Sequence, residues 1–414
     1  MHVVFVEKIL RVQPHVKKLY LLVRANDAES ALQRFYTEVV SKDLFNVLKE
    51  KHGANLQSFL AEKVTLVAGD ITRENMGVQD YSLCEQMWRD VDVVVNVAAS
   101  TNFKERYDVA LALNTYGAKI VLDFARKCAN IKLLLHVSTA YVSGEKPGLI
   151  LETPYHLGDT PDGVKGLDIK QEKRIIEDKL NMFKFDHKTN DKIITLAMKD
   201  LGTRRGGDTL IAGYGKGGFK CFLGDPEVVH DAVPADMVVN AMLATIVAHA
   251  NQTSFETIYH VGSSVSNPLK FDTVQKCAYL YFSQNPWTDN NGKLVTVKKL
   301  TVLKSMASFN KYIALRYLLP LQLLKVVNII CCQAFNGTYK NFERKINLVQ
   351  RVVKLNKPYL LSKSLFEDTN TENLRNVVQR SENDVNVFFF DPRRIDWEDY
   401  ILHTHIPGLV KYEF

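Results

Sequence analysis

The chain has 414 residues, 46% hydrophobic and 24% charged, with a formal net charge of +7. That size and balance suit a globular protein of two or three cored domains and exclude a collagen-like, low-complexity or disordered chain. The positive excess reads as mild and spread out, which argues against a nucleic-acid partner and leaves an anionic ligand or a membrane surface open.

The N-terminal stretch "MHVVFVEKILRVQPHVKK" is not a secretory signal, because charges interrupt each apolar run. Val3, Val4, Val6, Ile9, Leu10 and Val12 fall on one face of a predicted amphipathic helix. Four nearly continuous apolar runs follow, at Leu19–Ala25, Val64–Asp70, Val91–Ser100 and Lys132–Ala140. Such runs suit parallel strands buried on both faces. Glu29–Lys51, Tyr81–Arg89 and Val109–Ala129 between them have helical spacing. The alternation predicts an α/β fold, a Rossmann-like doubly wound parallel sheet.

Farther on, "GLDIKQEKRIIEDKLNMFK" predicts a charged helix, and "IITLAMKDLGTRRGGDTLIAGYGKGGFK" a helix stopping at a glycine-rich loop. Thr257–Ser264 predicts one more strand, and a mainly helical region runs to Phe414. We place a domain boundary near residue 300, giving segments 1–300 and 301–414. The most apolar run, Tyr312–Phe335, is broken by Arg316, Pro320 and Lys325, which disfavours a spanning helix of ~20 residues. It reads either as a helix of the C-terminal core or as one lying in a membrane interface. Six cysteines (Cys84, Cys128, Cys221, Cys277, Cys331, Cys332) lack CxxC spacing, so neither a metal site nor a disulfide framework is indicated. They suit the reduced, mostly buried thiols of an intracellular protein.

Ligands bind open α/β sheets at the carboxyl ends of the strands. Arg24 ends the first run, where an acidic residue would select a ribose 2′-hydroxyl and an arginine can hold a 2′-phosphate, favouring NADP over NAD. "GDIT" ends the second run with Asp70 and Ile71, Asp70 being able to approach the adenine edge. "NVAAS" ends the third with Asn96, Ala98 and Ala99, the alanines small enough for a cofactor to lie over the strand tip. Asn114 sits on the following helix, where a polar group otherwise needs a backbone or water partner. The fourth run ends in Ser138 and Thr139.

The series "LLVRA", "VAGDIT", "VNVAAS", "LNTYGAK", "HVSTAYVSG" and "DAVPADMVVNA" resembles the extended short-chain dehydrogenase/reductases. With "FFFDPRRIDWEDYILHTHIPGLVKY" at the end, the whole chain is similar to plant-type fatty acyl-CoA reductases with their C-terminal male-sterility domain. The resemblance implies NADPH-dependent reduction of a long-chain acyl-CoA, through an aldehyde, to a primary alcohol. It implies that Thr139 and Ser138 hydrogen-bond the substrate carbonyl, that Asn114 supports a proton relay, and that Arg24 holds the 2′-phosphate. Peripheral association with a membrane, that of the endoplasmic reticulum, is the matching expectation for the setting.

Two family elements do not appear in the sequence. The tyrosine acid with a lysine four residues later has no counterpart after "MKDLGTRR", where a block reads as lost near Arg205–Gly206. Tyr141 has Glu145 at the fourth place, Tyr116 has Lys119 one place too near, and Tyr359–Lys363 lies deep in the C-terminal domain. The glycine turn that binds pyrophosphate at a helix N-terminus is also missing, and "GYGKGG" (Gly213–Gly218) lacks the strand-to-helix context it would need. The alternative reading is therefore a catalytically inactive, reductase-like module that binds a membrane or a partner. Without the strand at the centre of the usual 3-2-1-4-5-6 order, the sheet either closes up or stays split. A sugar-nucleotide epimerase fits less well, because the C-terminal domain matches only the acyl-CoA reductases.

Overall fold

Four parallel strands form from the four apolar runs in a computed structural model that describes residues 1–102, 105–144, 146–160, 166, 168–184, 191–202, 221–249, 256–288, 292–379 and 387–412. They are β1 (Leu19–Val23), β2 (Val64–Ala68), β3 (Val93–Asn96) and β4 (Leu133–His136). β1 pairs with β2 from Leu19 opposite Val64 to Val23 opposite Ala68, and β3 with β4 from Val93 opposite Leu133 to Asn96 opposite His136. Among the described residues no ladder joins the two pairs. The sheet stays split.

The two pairs are nevertheless halves of one layer. Leu19, Leu21, Val95 and Leu135 pack into a cluster built around Phe5, Leu10, Val239 and Met242. Tyr20, Leu22, Val94 and Leu134 pack into another, around Val67, Cys84, Met87, Val121 and Phe124. Alternate residues of both pairs thus point to the same two helical layers, as strand geometry requires of a sheet covered on both faces.

The N-terminal helix, His2–Val12, buries Phe5, Val6, Ile9 and Leu10 against the first layer, beside the helix Ala235–His249. The predicted Glu29–Lys51 helix is two pieces. Asp27 caps the first, accepting from the Ser30 amide at 2.7 Å. The chain turns at Ser41–Lys42 and resumes at Asn46–His52, which brings Phe45 and Leu48 fully into the core. The helix Tyr81–Asp90 and the run Tyr107–Lys127, with one wide turn at Ala112–Tyr116, cover the other face.

Short parallel pairs knit distant segments together. β5 (Gly148–Ile150) pairs with β10 (Ser364–Phe366), and β6 (Cys221–Leu223) with β9 (Thr301–Leu303). The boundary expected near residue 300 falls just before β9, whose partner lies on the other side of it. β7 (Val229–His230) and β8 (Leu269–Lys270) pair antiparallel.

Thr257–Ser264 is not a strand, and its amides show why. The His260 N–H donates to the Glu152 carboxylate at 2.7 Å, and those of Ser263 and Ser264 donate to the Asp231 carboxylate at 2.6 and 2.8 Å. Two side chains, buried Glu152 and half-buried Asp231, replace a neighbouring strand as acceptors. Burial raises the pKa of both carboxyl groups above their ordinary values.

His230, edge-on to Phe271 at 5.7 Å between ring centres, is pushed down by burial from 6.5 to about 4. Between those values the unfolded chain binds a proton there that the folded chain refuses. This residue's contribution is therefore present above pH 6.5 and is lost as pH falls toward 4. Urea midpoints measured across that window should fall more shallowly for His230→Gln than for the unaltered chain. An unchanged slope counts against it.

Candidate active site

The carboxyl ends of β1 and β2 open on a cleft of about 570 Å³, lined by Arg24, Asp27, Asp70, Arg73 and Gln79 among others. Arg24 directly follows β1 with its side chain exposed, while its carbonyl accepts from Arg34. The loop after β2 folds back over the strand end. Asp70 donates its N–H to the Met76 carbonyl at 2.7 Å, and its carboxylate accepts from the Thr72 amide and hydroxyl at 2.9 and 2.8 Å. Only glycine permits this at position 69, since a Cβ there would run into the Met76 carbonyl. Ile71 turns inward and packs against the backbone of Gly117, away from the cleft.

The other half of the site lies at the ends of β3 and β4. Asn96 is buried. Its amide donates to Nδ1 of His136 at 3.1 Å and accepts from the Ala98 N–H at 3.1 Å, locking the two strand tips together. Because the Asn96 amide nitrogen can only donate, Nδ1 of His136 is the acceptor. Ala98 and Ala99 present bare methyl groups at the tip, exposed. Asn114 accepts from the Ser100 N–H at 2.8 Å and donates to the Ser100 carbonyl at 3.1 Å. Its amide pins the loop that follows the alanines.

Ser138 and Thr139 stand exposed beyond β4. The Thr139 hydroxyl accepts from the Tyr141 N–H at 3.3 Å, opening a short turn at Ala140–Ser143. The Tyr141 hydroxyl accepts from the Asp231 N–H at 3.0 Å and donates to the Asp231 carbonyl at 3.4 Å, and its ring packs edge-on to Phe366. The Tyr116 hydroxyl donates to the Ile169 carbonyl at 2.9 Å. The helix Asn336–Leu360 ends before Lys363, so the Tyr359–Lys363 spacing does not fall within one helix. "GYGKGG" and the Arg205–Gly206 junction lie outside the described residues. Among the described residues, no tyrosine–lysine pair of the required spacing meets the serine–threonine tip.

The expected residues thus fall into two groups, one at the carboxyl ends of each strand pair. Arg24 and Asp70 line the β1–β2 cleft, and Asn96, Ala98, Ala99, Asn114, Ser138 and Thr139 gather at the β3–β4 tips. Arg73 and Asp231 were overlooked in the sequence. The first adds a second guanidinium to the cleft and stands three residues after Asp70. The second anchors Tyr141 and opens the "DAVPAD" stretch; a Cβ at Gly262 would run into its carboxylate.

Residues 1–191 match a male sterility protein model of the NAD-binding type, and residues 316–414 match a second male sterility protein model. The chain is 45% identical over 464 residues to the alcohol-forming fatty acyl-CoA reductase of Simmondsia chinensis, covering 99% of this chain and 94% of the relative. It is 42% identical over 467 residues to fatty acyl-CoA reductase 1 of Arabidopsis thaliana, with the same coverage. A chain of 414 residues cannot fill 464 positions, so at least 50 positions of the first relative face gaps inside it. Among solved structures, the terminal R domain of the myxalamid PKS-NRPS pathway superposes with a TM-score of 0.57 at 15% identity, covering 100% of this chain and 88% of that one. The reductase domain of a nonribosomal peptide synthetase from Mycobacterium tuberculosis gives 0.55 at 15% identity, covering 98% and 88%. These last two likenesses establish the fold alone, a Rossmann-like one. With relatives above 40% identity along nearly its whole length, the chain belongs to the fatty acyl-CoA reductase family.

Proposed function

We propose that the chain is a fatty acyl-CoA reductase that uses NADPH to convert a long-chain acyl-CoA to a primary fatty alcohol, and that its own turnover is slow. The observation that carries the reading is the exposed Ser138–Thr139 tip at the carboxyl end of β4, together with a cleft of about 570 Å³ at the carboxyl ends of β1 and β2 in the same layer.

In this proposal Arg24 and Arg73 hold the adenosine phosphate end of the cofactor, guanidinium groups being suited to bidentate phosphate binding. Asp70 lies at the adenine edge. Ala98 and Ala99 form the flat floor at the β3 tip, and Asn96 and Asn114 keep that floor in place. Thr139, with Ser138, donates hydrogen bonds to the substrate carbonyl oxygen, where negative charge develops as hydride arrives. A reduced nicotinamide held there would supply that hydride, one NADPH for the step that releases the thiol of coenzyme A and, after exchange, a second NADPH for reduction of the aldehyde. Residues 1–300 carry the cofactor and residues 301–414 complete the substrate side, in an intracellular protein at the surface of the endoplasmic reticulum membrane.

The second reading, a non-catalytic relative, is favoured by the at least 50 positions of the Simmondsia chinensis reductase that have no counterpart here. Product analysis separates the two. Prolonged incubation with NADPH and a long-chain acyl-CoA should give fatty alcohol, and Thr139→Ala should reduce it. Alcohol at the no-enzyme level leaves only the second reading.

A further inference from the structure

Residues Met306–Ile330 form one continuous 25-residue helix, and only 11% of its most apolar window is buried. The reading of Tyr312–Phe335 as a core helix therefore fails. Phe309 and Ile313 fix the near end of the helix in the core with β6 and β9. Beyond them, Leu315, Leu319, Leu323, Val326 and Ile330 are exposed at helical spacing, forming one apolar stripe. At its end the chain turns back sharply into the helix Asn336–Leu360, which packs alongside. The turn is built, not loose. Buried Asn328 accepts from the Gln333 N–H at 2.7 Å through its carbonyl and from the Phe335 N–H at 2.8 Å through its side chain. Cys332 and Gln333 take the left-handed conformation. Ile329 and Ile330, at this tip, are 66% and 73% exposed.

Charge decides what covers the stripe. Residues 290–366 carry 14 lysines and arginines against one carboxylate, Glu343, so this segment alone holds +13 while the whole chain carries +7. The positive excess is concentrated, not spread. Lys311, Arg316, Lys325, Lys340, Arg344 and Lys345 are exposed, and none forms an ion pair among the described residues. A second copy of the same basic surface would be repelled. An anionic lipid surface would be attracted, each basic residue near it contributing about 1 kcal/mol. Leu315–Ile330 measures about 24 Å at helical rise, short of the ~30 Å hydrocarbon core. It also carries Arg316 and Lys325, so it lies in the interface and does not cross.

We propose that the hairpin from Leu315 to Phe335 docks in the interface of an anionic membrane, apolar stripe toward the acyl chains and the surrounding cations on lipid phosphates. This deepens the membrane-surface reading above. It needs no turnover, so it stands or falls apart from catalysis. The test is flotation of the 414-residue chain with vesicles of phosphatidylcholine, alone or mixed with phosphatidylserine. The chain should float with the mixed vesicles, and high salt should release it. Leu323→Glu/Ile330→Glu and Lys325→Glu/Arg344→Glu should each weaken flotation by about tenfold or more, with unchanged thermal unfolding because all four side chains are exposed. Unaltered flotation of the Leu323→Glu/Ile330→Glu variant places membrane binding elsewhere and overturns the hairpin. Salt-insensitive flotation with phosphatidylcholine alone overturns the anionic lipid. A dimer that the same variant splits, without vesicle binding, assigns the stripe to a second copy and overturns both.

Discussion

Assayed beside the Simmondsia chinensis reductase, the 414-residue chain is expected to form fatty alcohol about 10²- to 10⁴-fold more slowly, the span that a positioned acid contributes. Hydride addition leaves charge on the carbonyl oxygen, and a proton must reach it. Tyr141 is the tyrosine nearest in sequence to Ser138 and Thr139, but its hydroxyl is engaged by both backbone groups of Asp231. Tyr116 is engaged by Ile169. Neither has a lysine four residues on. Among the described residues no tyrosine is left to supply it, so in the proposed reaction protonation would fall to water, with Thr139 and Ser138 stabilising the oxygen in the meantime. Alcohol formation within tenfold of the relative would mean that an acid has been missed.

Replacing Arg375 with alanine should lower unfolding free energy by about 3 kcal/mol, the low end of the range for breaking a buried ion pair. Arg375 is 3% exposed. Its guanidinium lies 2.9 Å from Asp368 and 2.8 Å from Glu372. Glu372 also accepts from Arg393 at 3.1 Å, and Arg393 in turn holds Asp391 at 2.8 Å. The low end applies because Glu372 keeps Arg393 and remains partly solvated, so Asp368 is the carboxylate left alone. Against a typical total of about 5–15 kcal/mol, this is a large loss, readable as a lower urea midpoint. Arg375→Lys should recover little, because one ammonium cannot match the guanidinium's two directions. A shift of the Arg375→Ala variant below about 1 kcal/mol, as for a surface pair, would contradict the account.

The strands were legible because each is apolar along its length, and β1 to β4 lie within the predicted runs. Their failure to form one sheet followed from the lack of a fifth run to sit between them. Thr257–Ser264 looked like a strand because its apolar pattern is that of one. Its amides are satisfied by Glu152 and Asp231, partners that no local pattern reveals. Asn96 and Asn114 were readable as polar groups at the right strand ends. That their amides are committed to His136 and to the Ser100 backbone depends on tertiary geometry. Tyr312–Phe335 admitted two readings from hydropathy alone. Exposure separated them, and the charge that distinguishes an anionic lipid from a second copy was in the sequence throughout, masked by a whole-chain sum.

In the proposed reading this chain keeps the cofactor-holding edge of the site, while among the described residues no acid meets it. Titration with NADPH and with NADH, followed by the fluorescence of the reduced nicotinamide, tests it most directly. The account predicts saturable binding with NADPH about tenfold or more tighter than NADH, as a charge-assisted hydrogen bond of about 1.5–3 kcal/mol implies, and loss of that preference in Arg24→Ala. Equal affinity for the two nucleotides, or no saturable binding of either, would contradict it.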